Sequence, residues 1–296
     1  MKVVVIDSGK NTTLLKSIVG SPSVETVGVI IEQPGKEVSS THQKYLSEKN
    51  IPIITFSDLE YLNPDIIIVV TWGKTIPDEY VTKHNIINIH GGILPKWRGL
   101  SSNIWAIING EKEVGYTVQK LDSELDGGDI YKVYSTIISD DELFGDARMR
   151  IHDLLCADIE YLLRDIYSGN ITPISQKGEK FVYNTLLNPN DGIICWRNTT
   201  DYIFGIYQTM AKPYGSGVYF NYEGQTYEVT KMSKDTNYSD YAGIPGAVVY
   251  INRDRCSIVV KTLDNVVVLN EVKKEGEVID LTSEFRIGLR LPIYNP

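Results

Sequence analysis

The chain is short of cysteine, of cationic residues and of long apolar runs. Its three cysteines, Cys156, Cys195 and Cys256, lie far apart and include no Cys-x-x-Cys pair. That argues against a disulfide framework and a cysteine zinc site, and it fits a reducing, cytoplasmic setting. Lys and Arg number 29 against 38 Asp and Glu, a net charge of -9. A large nucleic-acid footprint needs clustered cations, so no nucleic-acid partner is expected, although a local patch for a nucleotide is allowed. No apolar stretch approaches the roughly 20 residues of a membrane-spanning helix, and no membrane partner is expected. Residues 1–7 read as a short first strand and not as a signal peptide. The four histidines show no His-Glu-x-x-His or other ligand spacing. Asp122-x-Glu124-x-Asp126-Gly127 has the start of a calcium loop, but Val133 stands where the closing Glu belongs, so no metal is expected.

What is present suits globular cores. The chain has 296 residues and is 42% hydrophobic, which predicts about two domains and argues against disorder. Apolar runs at residues 3–6, 26–31, 51–54, 65–70 and 86–90 read as strands, with helical segments at 13–19 and 40–48 between them. Strands alternating with helices predict βαβ units and a mostly parallel, Rossmann-like sheet. Asp7-Ser8-Gly9-Lys10 lacks the glycines of a phosphate loop and reads as a plain turn. Further strands are predicted over 115–121 and 128–138. Residues 142–167 read as one long helix, with Leu154, Leu155, Ile159, Leu162 and Leu163 at helical spacing. The polar stretch 184–192 marks a boundary, placing one domain at 1–188 and a second at 189–296. In the second, a helix ending at Met210 is capped by Asn198 or Thr199. Short alternating strands then predict a small OB-like β-barrel.

Asn88 and His90 stand two apart in a predicted strand, so both project to the same face. Gly91-Gly92 and Pro95 end that strand at once. Two polar groups therefore stand at a carboxyl strand end, where open α/β sheets bind ligands. Asp126 follows 36 residues after His90, inside Leu125-Asp126-Gly127-Gly128-Asp129.

The run Asn88-Ile-His90-Gly-Gly-Ile-Leu94-Pro95-Lys-Trp-Arg98-Gly99 resembles the signature of the folate-dependent formyltransferases. Gly115-Tyr-Thr117 and Asp122-Ser-Glu-Leu-Asp126-Gly-Gly-Asp129-Ile130 resemble that family's second block. One departure is Gln119, where many members carry His and some carry Gln. Cys195-Trp196, Pro213-Tyr-Gly-Ser-Gly217 and Pro245-Gly246 are similar to the C-terminal domain of methionyl-tRNA formyltransferases and of some sugar formyltransferases.

The resemblance implies an N-formyltransferase with 10-formyltetrahydrofolate as donor and Asn88, His90 and Asp126 as catalytic residues. Such acyl transfer needs a donor for the oxyanion, which an Asn amide provides, and a proton carrier, which an imidazole provides. The resemblance also implies folate contacts from Trp72, Gly73 and Ile76, and from Leu125 and Gly127. Lys96, Trp97 and Arg98 follow the catalytic strand and suit a diphosphate and a base or sugar.

The acceptor divides the family. From 189 to 296 there are 11 Lys and Arg against 13 Asp and Glu, a net of 11 - 13 = -2. That is a poor platform for tRNA. The expected acceptor is the amine of a nucleoside-diphosphate amino sugar, for surface polysaccharide. The alternatives are a methionyl-tRNA formyltransferase and a hydrolase releasing formate from 10-formyltetrahydrofolate. Self-association as a homodimer is considered through the apolar residues 266–269.

Overall fold

The computed structural model describes residues 1–9, 12–31, 40–234, 236–238 and 240–293. Lys10, the last residue of the predicted Asp7–Lys10 turn, lies outside them. The chain divides into two compact units. The first comprises Met1–Ser102, Gly115–Thr136 and Met149–Asn184, and the second Asn103–Val114, Ile137–Arg148 and Thr185–Pro296. The second unit thus takes in two segments that precede the polar stretch in sequence.

The first unit is built on a seven-stranded sheet. Its strands are β1 (Lys2–Asp7), β2 (Glu25–Ile31), β3 (Ile53–Ile54), β4 (Ile66–Thr71), β5 (Ile86–His90), β7 (Glu113–Lys120) and β8 (Ile130–Ile137), while β6 (Trp97–Gly99) lies outside it. The order is β3-β2-β1-β4-β5-β7-β8. Val3, Val4, Val5 and Ile6 are wholly buried, as befits a parallel strand covered on both faces. β1, β2, β3, β4 and β5 pair in parallel, whereas β7 runs antiparallel to β5. Consequently Asp7, Thr71 and His90 all end their strands on one edge of the sheet. Helices α1 (Thr12–Val19), α2 (Ser40–Glu48), α3 (Leu59–Leu62) and α4 (Asp78–Lys83) connect these strands. His42 of α2 lies 2.8 Å from the Asp7 carboxylate, and both side chains are fully buried.

The long helix forms as Phe144–Tyr167. It follows α5 (Ser102–Ile108) and is α6 in chain order. Leu155, Ile159, Leu162 and Leu163 are buried, but Leu154 is half exposed and not part of the core face. One element was not legible locally. β6 pairs in parallel with β9 (Val182–Asn184), matching Trp97 to Val182 and Arg98 to Tyr183.

The second unit carries an antiparallel sheet of short strands: β10 (Tyr219–Tyr222), β11 (Gln225–Ser233), β12 (Val248–Asn252), β13 (Ser257–Lys261), β14 (Val266–Lys274) and β15 (Glu277–Val278). The ladder runs β10-β11-β14-β13-β12, with β15 beside β14. Helix α7 (Thr200–Met210) is capped by Thr199, whose hydroxyl accepts from the Tyr202 N–H. A Cβ at Gly205 would stand 2.7 Å from the Ile108 Cα, so only glycine lets these two backbones approach. The core gathers Trp196, Phe204, Phe220 and Tyr227, with Phe220 and Tyr227 stacked at 5.1 Å. A last helix, α8 (Leu281–Glu284), closes the unit.

Residues 266–269 offer no surface for self-association. Val267 and Leu269 fill the main core, while Val266 and Val268 pack with Val259 against Tyr238, Val249 and Tyr250. Among the described residues no helix is long and apolar enough to cross a membrane.

Candidate active site

Asn88 and His90 stand on one face of β5, opposite Gln119 and Thr117 of β7. Thr117 fixes the loop that follows. Its hydroxyl donates to the Gly92 carbonyl at 2.7 Å and accepts from the Leu94 N–H at 3.1 Å. Gly92 is required there, because a Cβ would stand 2.9 Å from His90 Nε2 and 2.5 Å from the Ser102 Cβ.

His90 is 6% exposed. Its Nε2 lies 2.8 Å from the Trp97 carbonyl, and its Nδ1 lies 3.4 Å from Asp126 Oδ1. Both neighbours are acceptors, so a ring with a single N–H donates to one of them at a time. Asp126 is equally enclosed, at 8% exposure. Its Oδ2 accepts from the Gly99 N–H at 2.8 Å, and its Oδ1 accepts from Gln119 Nε2 at 3.0 Å. The backbone of Asp126 is left-handed, with φ of 51°. The turn before it is organised by Asp122, whose carboxylate accepts the Glu124 N–H at 3.0 Å. That backbone bond holds the Asp122 carboxyl below the usual carboxylate range.

Asn88 differs from both. It is half-buried, and its side-chain amide makes no hydrogen bond among the described residues. Its two N–H donors are open to a ligand. The structure thus brings together all three predicted catalytic residues. An imidazole touches a carboxylate, and an uncommitted amide stands two residues away on the same strand.

The loop after β4 leaves the same sheet edge as the loop after β5, since the two strands are parallel neighbours. Within it Gly73 is exposed and Ile76 is buried. Trp72 packs edge-on against Phe56 at 6.0 Å, and its Nε1 is buried without a partner among the described residues. An orphaned donor and an open Asn88 amide are consistent with a polar ligand at this edge. Leu125 is 62% exposed although it adjoins buried Asp126, and Gly127 is half-buried.

Trp97 and Arg98 depart from the expectation that they face a diphosphate and a base or sugar. Both belong to β6 and are nearly inaccessible, at 7% and 2% exposure. The Arg98 guanidinium donates to Glu124 Oε1 at 2.7 Å and to Gln176 Oε1 at 3.2 Å, and it stacks 3.9 Å from the Phe181 ring centroid. Both terminal nitrogens thus donate within the protein, while Nε is buried with no partner among the described residues, and Lys96 is the exposed cation of this loop. Gln176 was not foreseen. It is 3% exposed and contacts the Asp126 and Gly128 carbonyls. No local pattern around Ile174-Ser175-Gln176 marks it.

Comparison with known proteins gives the family of the chain. A formyl transferase profile matches residues 1–156, and a formyl transferase C-terminal domain profile matches residues 186–286. Methionyl-tRNA formyltransferase of Caldanaerobacter subterraneus subsp. tengcongensis is 30% identical over 248 residues, covering 83% of this chain and 78% of its own. The fold is shared with WlaRD, a sugar 3N-formyl transferase solved with dTDP and 5-N-formyl-THF. The TM-score is 0.69 at 16% identity, over 94% of this chain and 98% of that one. HypX from Aquifex aeolicus, solved with tetrahydrofolic acid, aligns at a TM-score of 0.56 and 20% identity, over 96% of this chain. This chain spans only 46% of the HypX chain. With both domain profiles matched and the Asn88, His90 and Asp126 side chains gathered at one sheet edge, the chain belongs to the folate-dependent formyl transferase family.

Proposed function

We propose that this protein transfers the formyl group of 10-formyltetrahydrofolate to the amine of a nucleoside-diphosphate amino sugar, in the cytoplasm, for surface polysaccharide. The observation that carries the reading is the Asn88 amide, uncommitted beside the buried His90–Asp126 pair. Trp72, Gly73, Ile76, Leu125 and Gly127 would hold the folate, and exposed Lys96 would meet the diphosphate. The folate supplies an activated formyl carbon on a nitrogen that can leave. Asn88 donates to the oxygen that gains charge, His90 moves the proton, and Asp126 orients the imidazole. Residues 1–188 carry all three groups, and residues 189–296 contribute none of them.

Charge supports the sugar acceptor. Of the 11 Lys and Arg beyond residue 188, Lys212, Lys231, Lys234 and Lys274 each pair with a carboxylate. A tRNA surface needs cations free to displace counterions from phosphates. A methionyl-tRNA acceptor is the second reading, because curated relatives carry that name. The test is a folate turnover assay with dTDP-, UDP- and GDP-linked amino sugars, with charged initiator tRNA, and with no amine. Sugar-dependent turnover is expected. Turnover only with tRNA establishes the second reading, and formate release without any amine establishes a hydrolase.

A further inference from the structure

Arg98, Gln176 and Gln119 form a chain of hydrogen bonds that ends on Asp126. Arg98 Nη2 donates to Gln176 Oε1 at 3.2 Å. Gln176 Nε2 lies 3.3 Å from Gln119 Oε1, and Gln119 Nε2 donates to Asp126 Oδ1 at 3.0 Å. All four residues are buried, Gln119 completely.

The direction of this chain is set from its two ends. A guanidinium only donates, so the Gln176 oxygen must face Arg98. The Gln176 nitrogen must then face the carbonyls of Asp126 and Gly128, at 3.0 and 2.5 Å, and these only accept. That nitrogen has two hydrogens for three acceptors, so the Gln119 oxygen at 3.3 Å shares one of them with a carbonyl; the attraction still turns this oxygen toward Gln176 and leaves the Gln119 nitrogen for the Asp126 carboxylate. Neither amide can flip without setting donor against donor or acceptor against acceptor. The backbone delivers Gln176 by a short antiparallel bridge. Ile174 and Ile130 exchange N–H···O bonds at 2.8 and 2.7 Å, placing residue 176 against the Asp126 loop.

We infer that Gln119 and Gln176 are positioning residues for formyl transfer, carrying orientation from the buried Arg98 guanidinium to the Asp126 carboxylate. The inference rests on the reading of Asp126 as catalytic. A left-handed backbone at a non-glycine residue persists where its surroundings hold it. Gln176 grips that backbone at residues 126 and 128, while Gln119 and the Gly99 N–H each occupy one carboxylate oxygen. Oδ1 is left aimed at His90 Nδ1, 3.4 Å away. Dipoles joined head to tail reinforce one another, so the amides present the carboxylate with an oriented, fixed donor. Losing that aim matters because a misplacement of about 1 Å can cost roughly a hundredfold in rate.

The test compares Gln119→Met, Gln119→His and Gln176→Met, each alone and combined with Asp126→Asn in the full chain. The readouts are kcat and KM for 10-formyltetrahydrofolate turnover, the Kd for 5-formyltetrahydrofolate, and the melting temperature. Gln119→Met is expected to lower kcat by about tenfold to a hundredfold, with Kd within about twofold. Gln119→His should recover most of that loss, since one ring nitrogen donates to Asp126 and the other accepts from Gln176. In the Asp126→Asn background neither Gln119→Met nor Gln176→Met should lower kcat further, because both act through the carboxylate. Unchanged kcat in Gln119→Met overturns the inference, as does an undiminished further loss beside Asp126→Asn. Should Gln119→Met not fold, a folded Gln119→His with the same kcat as Asp126→Asn overturns it instead. An Asp126→Asn protein of normal kcat refutes the catalytic reading itself, and is thereby distinguished from failure of the relay.

Discussion

Replacing Asp126 by Asn keeps the size and shape of the side chain and removes its charge and one acceptor oxygen. The residue sits at φ of 51°, a left-handed conformation that Asn adopts more readily than other non-glycine residues. Asp126→Ala would add a backbone penalty, whereas Asp126→Asn isolates the carboxylate. The carboxylate accepts from the Gly99 N–H at 2.8 Å and from Gln119 Nε2 at 3.0 Å. Asn has one oxygen, so in either orientation its NH₂ confronts one of these donors. Gly99 is tied into the β6–β9 pairing, and Gln119 is fixed by Gln176, so neither turns away. One buried donor left without a partner costs about 1–3 kcal/mol. For a unit of this size that lowers the melting temperature by roughly 2–12 °C. The catalytic loss is larger, because the imidazole loses the charge that orients it. General acid–base catalysis is typically worth a hundredfold or more, so kcat should fall by at least about two orders of magnitude, or roughly 2.7 kcal/mol of barrier. Single-turnover folate conversion and a thermal melt measure the two effects separately. A variant retaining more than about a tenth of kcat would refute the assignment.

Other outcomes follow from the same geometry. His90→Ala should lower kcat by about a hundredfold or more with the fold intact, read by turnover and circular dichroism. Asn88→Ala should lower kcat by roughly a hundredfold to a thousandfold while KM changes little, since its donor meets charge that develops in the transition state; an effect on KM alone would make it a ground-state contact. Arg98→Met should destabilise the protein by about 1–3 kcal/mol in urea melts, because buried Gln176 loses the donor to its side-chain oxygen, whereas exposed Glu124 returns to water. If Arg98 instead contacted the acceptor, acceptor KM would rise with stability unchanged. In the second unit, the Lys274 ammonium and then the Tyr227 hydroxyl hold the Glu284 carboxyl below its usual 4.5. That contribution is complete at neutral pH and is lost as pH falls below 4.5, while the Lys274 share fades only above 10.5. Glu284→Gln should flatten the acid limb of a stability-against-pH curve, and an unchanged limb would reject this.

The sequence alone determined whatever depends on local period and composition. Two-residue alternation placed Asn88 and His90 on one face of β5, and paired glycines ended the strand there. Uninterrupted apolar residues made β1 a doubly covered strand. The helix cap was legible to within one residue, Asn198 or Thr199, because a capping side chain reaches only three residues along the chain, and the fold chose Thr199. The joint motif linked Asp126 to that site across 36 residues, which no periodicity does. The tertiary structure decided what lies against what. Arg98 looked like a ligand-binding cation until β6 paired with a strand more than 80 residues later and buried it. Gln176 is an ordinary polar residue in sequence, and its role exists only because the Ile130–Ile174 bridge carries it beneath the Asp126 loop. The apolar run at 266–269 is equally compatible with an interface or an interior, and only coverage on both faces chose the interior. A chain's own spacing fixes which side chains share a face. Which distant segment covers that face depends on the register between segments far apart in sequence, and only the folded molecule sets it.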